Sequence, residues 1–496
     1  MKQVVVSLDQ GSSSSRVLAF DSRGKAVARA QRAVKMRFPK PGWVEQDPES
    51  LVRTLETSLD EVLAELGPRT EIAAVGFAAQ RSTIVLWDAK TGRPLLPAFS
   101  WMDGRAASVV AGLMDRQHDV HRRTGLYLTP YYSAPKIRWA LDRDSKLRAL
   151  ADKGRLRIGP ITTYALWKWT RGEVFAVDPA MAQRMLLFNI ESGDWDDTLL
   201  ALFAIPREAL PEIVPTTGPW AAIRRKGRVL RLGAVMGDQQ SAAYGQGGGV
   251  SGSGVLNYGT GAFFLLHTGE RLHHIPGILT SVAWQRGGRR RSYFLEGTVH
   301  AAGTSYGWLK DNLGLLPDVR AVDAACRRST QRIFALQAIG GLGAPRWDYD
   351  TPTVLMGLDS NTRPEDVVRG VTESLAFFIA DIVDAIRTKG IEVRSLRASG
   401  GLASIHYLLQ FQADMLRQPI VRLREQEATA LGVASMAAQE AGLPWAERLC
   451  GGGRDREFRP AMPAQEADAL LKAWRLFVEC QRKTAAELRA LGFLRR

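Results

Sequence analysis

One pattern occurs twice in this chain and limits the folds open to it. An apolar run at 4–9 ends in Asp9, the polar turn Gln10-Gly-Ser-Ser-Ser-Ser15 follows, and a second run continues from Arg16 to Asp21. Midway along, residues 254–258 form another apolar run. Gly259-Thr260-Gly261 makes the turn and 262–267 runs on. Each half therefore opens on a strand, a turn of glycine and hydroxyl residues, and a strand. This spacing predicts an approximate internal duplication, far from the many short units of a solenoid. Leu51, Leu55, Leu59, Val62, Leu63 and Leu66 recur at helical spacing over 49–66, and 72–78 reads as a buried strand, so the class is α/β. Further helical patterns cover 364–389, 406–416, 428–441 and 464–491. A length of 496 residues exceeds what one core supports. The Gly-rich stretch 245–254 is the natural join, which predicts lobes at 1–244 and 245–496.

Composition narrows the function classes. Apolar residues make up 45% and charged residues 24%, as in ordinary globular proteins. The first apolar run is too short for a signal peptide, and no stretch reaches the roughly 18 apolar residues of a membrane span. Cys326, Cys450 and Cys480 are odd in number and far apart, which suits a reducing cytoplasm and neither a disulfide framework nor a metal site. The net charge of +15 admits nucleic acid as a partner, but the basic residues are interspersed with acidic ones. The densest run, Arg286 to Arg291, reads as a hairpin tip. The expectation is no nucleic acid and no membrane.

Several local patterns could carry chemistry. No Gly-x-x-x-x-Gly-Lys-Ser/Thr loop is present, and Gly247, Gly249 and Gly252 precede a strand, the wrong context for a dinucleotide fold. The paired turns, with Ser12 and Ser13 in one and Thr260 and Gly261 in the other, offer amides and hydroxyls that could grip a triphosphate from two sides. Asp9 stands where a magnesium ligand is needed. Gly400-Gly401 after the strand 395–398 is a third glycine turn, suited either to a nucleotide or to positive φ in a loop. Asp238 follows the apolar 232–236 and enters a helix. It is placed either as a base for a substrate hydroxyl or as an N-cap. Gln80-Arg81-Ser82-Thr83, Trp101-Met-Asp103-Gly-Arg105 and Pro130-Tyr131-Tyr132 are expected at strand ends. There, donors and ring faces would suit a hydroxylated carbon skeleton. A charge such as Arg81 beside a buried strand needs a partner.

These residues resemble the FGGY carbohydrate kinases, and among them the glycerol kinases. The resemblance rests on Leu8-Asp-Gln-Gly11 with its Ser run and Arg16, Pro41-Gly-Trp-Val-Glu-Gln-Asp-Pro48, Ala79-Gln-Arg81 and Trp101-x-Asp-x-Arg105. It continues through 131–139 around Lys136, 185–195, Gly237-Asp-Gln-Gln240, Tyr258-Gly-Thr-Gly261, Gly340 to Asp348 and Ser399-Gly-Gly401. It implies a two-lobed, actin- and hexokinase-like (ribonuclease H-like) fold with ATP and Mg2+ in the cleft. The implied activity is phosphoryl transfer to a primary hydroxyl of a small polyol or sugar, glycerol first. It also implies that Arg81, Ser82, Trp101, Tyr131, Asp238, Gln239 and Phe263 line the substrate pocket, with Asp238 as base. Ser12, Ser13, Arg16, Thr260, Gly261 and Gly401 would bind ATP, with Asp9 at the metal. A homodimer or tetramer is left open.

Three positions depart from the family. Ser82 replaces a Glu, which is expected to leave Arg81 less neutralised and to favour a substrate longer by a carbon or two, such as a tetritol or ketose, or one bearing an anionic group; alternatively a water fills the space and glycerol remains. Ser404-Ile405-His406 lacks an adenine-side Asn. Arg224-Arg-Lys-Gly-Arg228 only loosely echoes a regulatory loop. The other classes are a polyol-sensing pseudokinase and an actin-type ATPase, the latter having no use for Arg81, Trp101 and Tyr131.

Overall fold

A computed structural model describes residues 2–424, 427–451 and 453–494. Two mixed sheets organise the chain. The first contains β1 (Lys2–Gln10), β2 (Ser14–Phe20) and β3 (Ala26–Ala33), an antiparallel meander. It is extended by β4 (Thr70–Ala79), β5 (Thr217–Arg225) and β6 (Arg228–Gly237) in the order β5-β6-β4-β1-β2-β3. The second contains β7 (Ser253–Tyr258), β8 (Ala262–Gly269), β9 (Leu279–Gln285), β10 (Arg291–Val299), β11 (Ser395–Ser399), β12 (Ile420–Leu423) and β13 (Arg454–Phe458), ordered β13-β12-β11-β7-β8-β10-β9. In each sheet an antiparallel pair at the opening turn is followed by two parallel strands and an antiparallel edge. The repeated strand–turn–strand pattern thus marks a repeated sheet, with β9 added to the second. The Arg-rich run forms the tip of the β9–β10 hairpin.

The helices that matter for the site and the core include α1 (Pro48–Leu66), α2 (Ser133–Arg143), α3 (Asp238–Gly245), α4 (Pro364–Arg387) and α5 (Ala428–Glu440), together with those at His406–Leu416 and Ala464–Ala490. α1 begins where Asp47 accepts from the amides of Glu49 and Ser50, and it buries Leu51, Leu55, Leu59, Val62 and Leu63 on the first sheet. α5, from the second half, packs on the first sheet and on α3. Gly432 permits this contact, since a Cβ there would lie 1.8 Å from the Ser241 carbonyl. Among the described residues no helix is long and apolar enough to cross a membrane, and the three cysteines are free.

Strand register positions the site. β1 runs parallel to β4, pairing Asp9 with Ala78 and Gln10 with Ala79, and β6 runs parallel to β4, pairing Gly237 with Ala79. Asp9, the segment beginning at Gln80 and Asp238 therefore emerge at one carboxyl edge, where open α/β sheets bind ligands.

Candidate active site

Asp238 is the first residue of α3, and Gly237 is the N-cap. The capping alternative is thereby excluded. The Asp238 side chain accepts from the Gln239 amide at 2.8 Å, and its Oδ1 lies 3.8 Å from Arg81 Nε. Burial raises its carboxyl above the usual range although Arg81 opposes the shift. Asp9 is paired with Arg16 because the antiparallel β1–β2 register sets them opposite each other. Arg16 also reaches Glu427 at 2.9 Å. Burial, reinforced by repulsion from Asp238, pushes Asp9 up to about 6 against the pull of Arg16. Two carboxylates with raised affinity for protons thus lie near each other at one strand edge.

The structure corrects the expectation for Arg81. Its Nη1 lies 3.7 Å from Glu296 on β10, so a carboxylate from the second half of the chain stands beside it despite Ser82. Glu296 also accepts from Arg184 and, at 2.8 Å, from the Ser281 hydroxyl. Arg184 donates to Ser281 at 2.7 Å. Burial alone would raise Glu296, yet Arg184 and Arg81 hold it at about 2. Burial and repulsion from Arg184 lower Arg81, so the tight pair is Arg184–Glu296 and Arg81 leans on it. Two guanidinium groups, Asp238 and Glu296 balance to no net charge, which removes the positive potential expected to attract an anionic substrate. Sequence reasoning missed Arg184 and Glu296. The signal was available, since both are charges inside apolar runs and such a charge demands a partner.

Ser82 has φ of 61° and its hydroxyl donates to the Arg184 carbonyl at 3.3 Å. Trp101 and Tyr131 are half-exposed, as cleft-lining rings would be. Gln80-Arg81 and Trp101 do follow strands (Thr70–Ala79 and Ala98–Phe99), but Tyr131 does not. Pro130-Tyr131-Tyr132 is the turn that leads into α2. Gln239 and Phe263 are partly buried, with Phe263 on β8 against the cluster that contains Trp284. Trp101 Nε1 donates to Ser12 Oγ at 2.8 Å, joining the expected substrate wall to the turn expected to hold phosphate. Gln80 donates to Gln46, and Gln46 donates to the Ser12 carbonyl, at 2.9 Å each, which gives the 41–48 motif a structural use.

The Gly259–Gly261 turn joins β7 to β8, and the Thr260 carbonyl accepts from the Ala302 amide at 3.0 Å. Gly400, at φ of 91°, brings the third glycine turn against it. A Cβ on Gly400 would lie 2.4 Å from the Tyr258 carbonyl. Beside these turns a cavity of about 710 Å³ is lined by Gln246, Asn257, Gly400, Gly401, Ser404 and Thr429, among others. Among the described residues no hydrogen bond ties the Gly11–Ser14 turn to the Tyr258–Gly261 turn. None of the described residues forms a group of three or more His, Cys, Asp or Glu able to hold a metal by itself.

Comparison with known proteins agrees with this geometry. The N-terminal domain of the FGGY family of carbohydrate kinases matches residues 4–245, and its C-terminal domain matches 254–441. A glycerol kinase of Alkalilimnicola ehrlichii is 38% identical over 95% of this chain and 97% of its own length. One of Thermus brockianus is 38% identical over 96% of this chain and 98% of its own. The crystal structure of Plasmodium falciparum glycerol kinase with ADP superposes with a TM-score of 0.91 at 28% identity, covering 97% of this chain and 98% of that one. A xylulose kinase of Rhodospirillum rubrum, at 21% identity and a TM-score of 0.87, shares the fold. The repeated sheet, the carboxylates at its edge and the near full-length matches place this chain in the FGGY family of carbohydrate kinases.

Proposed function

We propose that the protein transfers the γ-phosphoryl group of ATP to a primary hydroxyl of glycerol, giving glycerol 3-phosphate. The observation that carries this reading is the charge-balanced cluster around Arg81. Arg81 lies between Asp238 and Glu296 and Arg184 pairs with Glu296, so two guanidinium groups balance two carboxylates and the site is polar yet neutral, as suits an uncharged polyol. Arg81 would donate to substrate oxygens, while Trp101, Tyr131 and Phe263 would cover its C–H faces. Asp238, raised by burial, would take the proton of the attacking hydroxyl. Gln239 and Ser82 complete the wall. The turns carrying Ser12, Ser13 and Arg16 on one side and Thr260, Gly261 and Gly401 on the other would hold the nucleotide.

Magnesium, which the family's chemistry implies, fits the residues present. Asp9 is desolvated and repelled by Asp238, a strain that a divalent cation would relieve, and Mg2+ needs only one or two carboxylates besides phosphates. When bound, it would neutralise charge on the transferring group. In this reading residues 1–244 carry most of the polyol pocket and the first phosphate turn and 245–496 the rest of the nucleotide site, with Phe263 and Glu296 reaching the polyol from the second half. The three free cysteines suit a reducing compartment.

The test is a coupled assay of ADP release over glycerol, tetritols, pentitols and ketoses, with Asp238→Asn alongside. Glycerol should give a kcat/KM of about 10⁴ M⁻¹s⁻¹ or more. Asp238→Asn should lose on the order of a hundredfold to ten-thousandfold in kcat with polyol binding retained. Preference for a longer polyol would refute glycerol as substrate, and near-normal turnover in the variant would refute the base.

A further inference from the structure

Lys136, on α2, is fully buried, and among the described residues its ammonium pairs with no carboxylate. It donates to three main-chain carbonyls: Ser100 at 2.8 Å, Tyr131 at 2.8 Å and Ser82 at 3.2 Å. These belong to three separate segments. Each segment presents a side chain assigned above to the polyol: Arg81 with Ser82, Trp101 beside Ser100, and Tyr131 itself. At Ser82 the backbone is in the left-handed region, which a non-glycine residue keeps only when its surroundings over-determine it. Lys136 and, at 3.4 Å, the Ser133 hydroxyl supply that restraint on the Ser82 carbonyl.

The donor count matters. An ammonium has three protons for three carbonyls and no lone pair to satisfy. A neutral amine has two protons and a lone pair facing acceptors, so one segment must be released. The charged neighbours, Asp103 and Arg105, are bound to each other at 2.8 Å, and Asp103 also accepts from the Val44 amide. Arg184 and Glu296 lie beyond Ser82 and pair with each other. Burial pushes Lys136 down to about 7, opposed by Asp103 and assisted by Arg105.

We propose that Lys136 is a positioning residue whose ammonium form pins the three segments of the polyol pocket together, so that polyol binding weakens when the proton is lost and nucleotide binding does not. The inference rests on the reading that Arg81, Trp101 and Tyr131 face the polyol.

The experiment uses the full chain, wild type and Lys136→Met, between about pH 6 and about pH 9. It measures glycerol KM and kcat, ADP affinity, and hydrogen exchange of residues 80–83, 99–102 and 130–133 corrected for intrinsic rate. Wild-type KM for glycerol should rise about tenfold across this range while ADP affinity stays flat. Lys136→Met should lose about a hundredfold in kcat/KM, as misplaced binding groups do, with a high KM that no longer varies with pH. Exchange should rise at those three segments in wild type at high pH and at every pH in the variant. A pH-independent wild-type KM, or exchange that rises throughout the chain, overturns the proposal. If the variant does not fold, the wild-type series decides. If wild type phosphorylates no polyol, the functional reading has failed, and exchange at the three segments still decides whether Lys136 pins them.

Discussion

Replacing Glu296 by Gln isolates one charge while keeping shape. In the folded chain Glu296 is almost fully buried and its carboxyl is held at about 2, from an ordinary 4.5. At about 1.36 kcal/mol per pH unit, that difference corresponds to roughly 3 kcal/mol of stabilisation of the ionised form. Coulomb attraction to a guanidinium 3.7 Å away gives about 4 kcal/mol at an effective dielectric constant near 20, and breaking a buried pair costs about 3–5 kcal/mol. Gln can still accept from Ser281 and Arg184, so the low end is expected, a loss of roughly 3 kcal/mol. The sign is that of a depressed acid. The contribution is complete above pH 4.5 and disappears as pH falls through about 2, so the loss should be constant across neutral pH. Thermal unfolding should fall by roughly 6–12 °C, taking about 2–4 °C per kcal/mol for a domain-sized unit. With Arg81 no longer supported, kcat/KM for glycerol should fall at least about tenfold while ADP affinity is kept. A variant within about 1 kcal/mol of wild type, with unchanged glycerol kinetics, would refute the argument that Glu296 balances Arg81 and Arg184.

Two further outcomes follow from other parts of the site. Asp238 is raised by burial, so kcat/KM should decline as pH falls because its carboxylate must be ionised to take the proton. A carboxyl raised on folding, as Asp9 is to about 6, binds protons more tightly in the folded state, so the Asp9 contribution to stability should improve over the same descent towards pH 4; parallel pH profiles of activity and unfolding would contradict this. Gly400→Ala would place a Cβ 2.4 Å from the Tyr258 carbonyl at a φ of 91°, and should weaken ADP binding at least about tenfold by titration calorimetry, leaving glycerol affinity near wild type. Unaltered ADP binding would show that the two turns need not touch.

The sequence by itself determined the architecture, because periodicity and turn chemistry are local. The strand–turn–strand opening of each half became β1–β2 and β7–β8, and the leucines at helical spacing became the buried face of α1. Asp238 was readable as a residue at the junction of a buried strand and a helix. Its nearness to Asp9 and Arg81 follows from parallel register, which pairs strands far apart in sequence. Only the tertiary structure decided the electrostatics. Ser82 suggested an unbalanced Arg81, yet the balancing carboxylate arrives on β10, more than two hundred residues later. Likewise Lys136 was legible only as part of a motif. Its three acceptors are backbone carbonyls, which carry no residue-specific trace in a sequence, and they converge only when three separate segments pack against α2. Local rules set which elements form, while burial and long-range pairing set which charges meet and what each one can do.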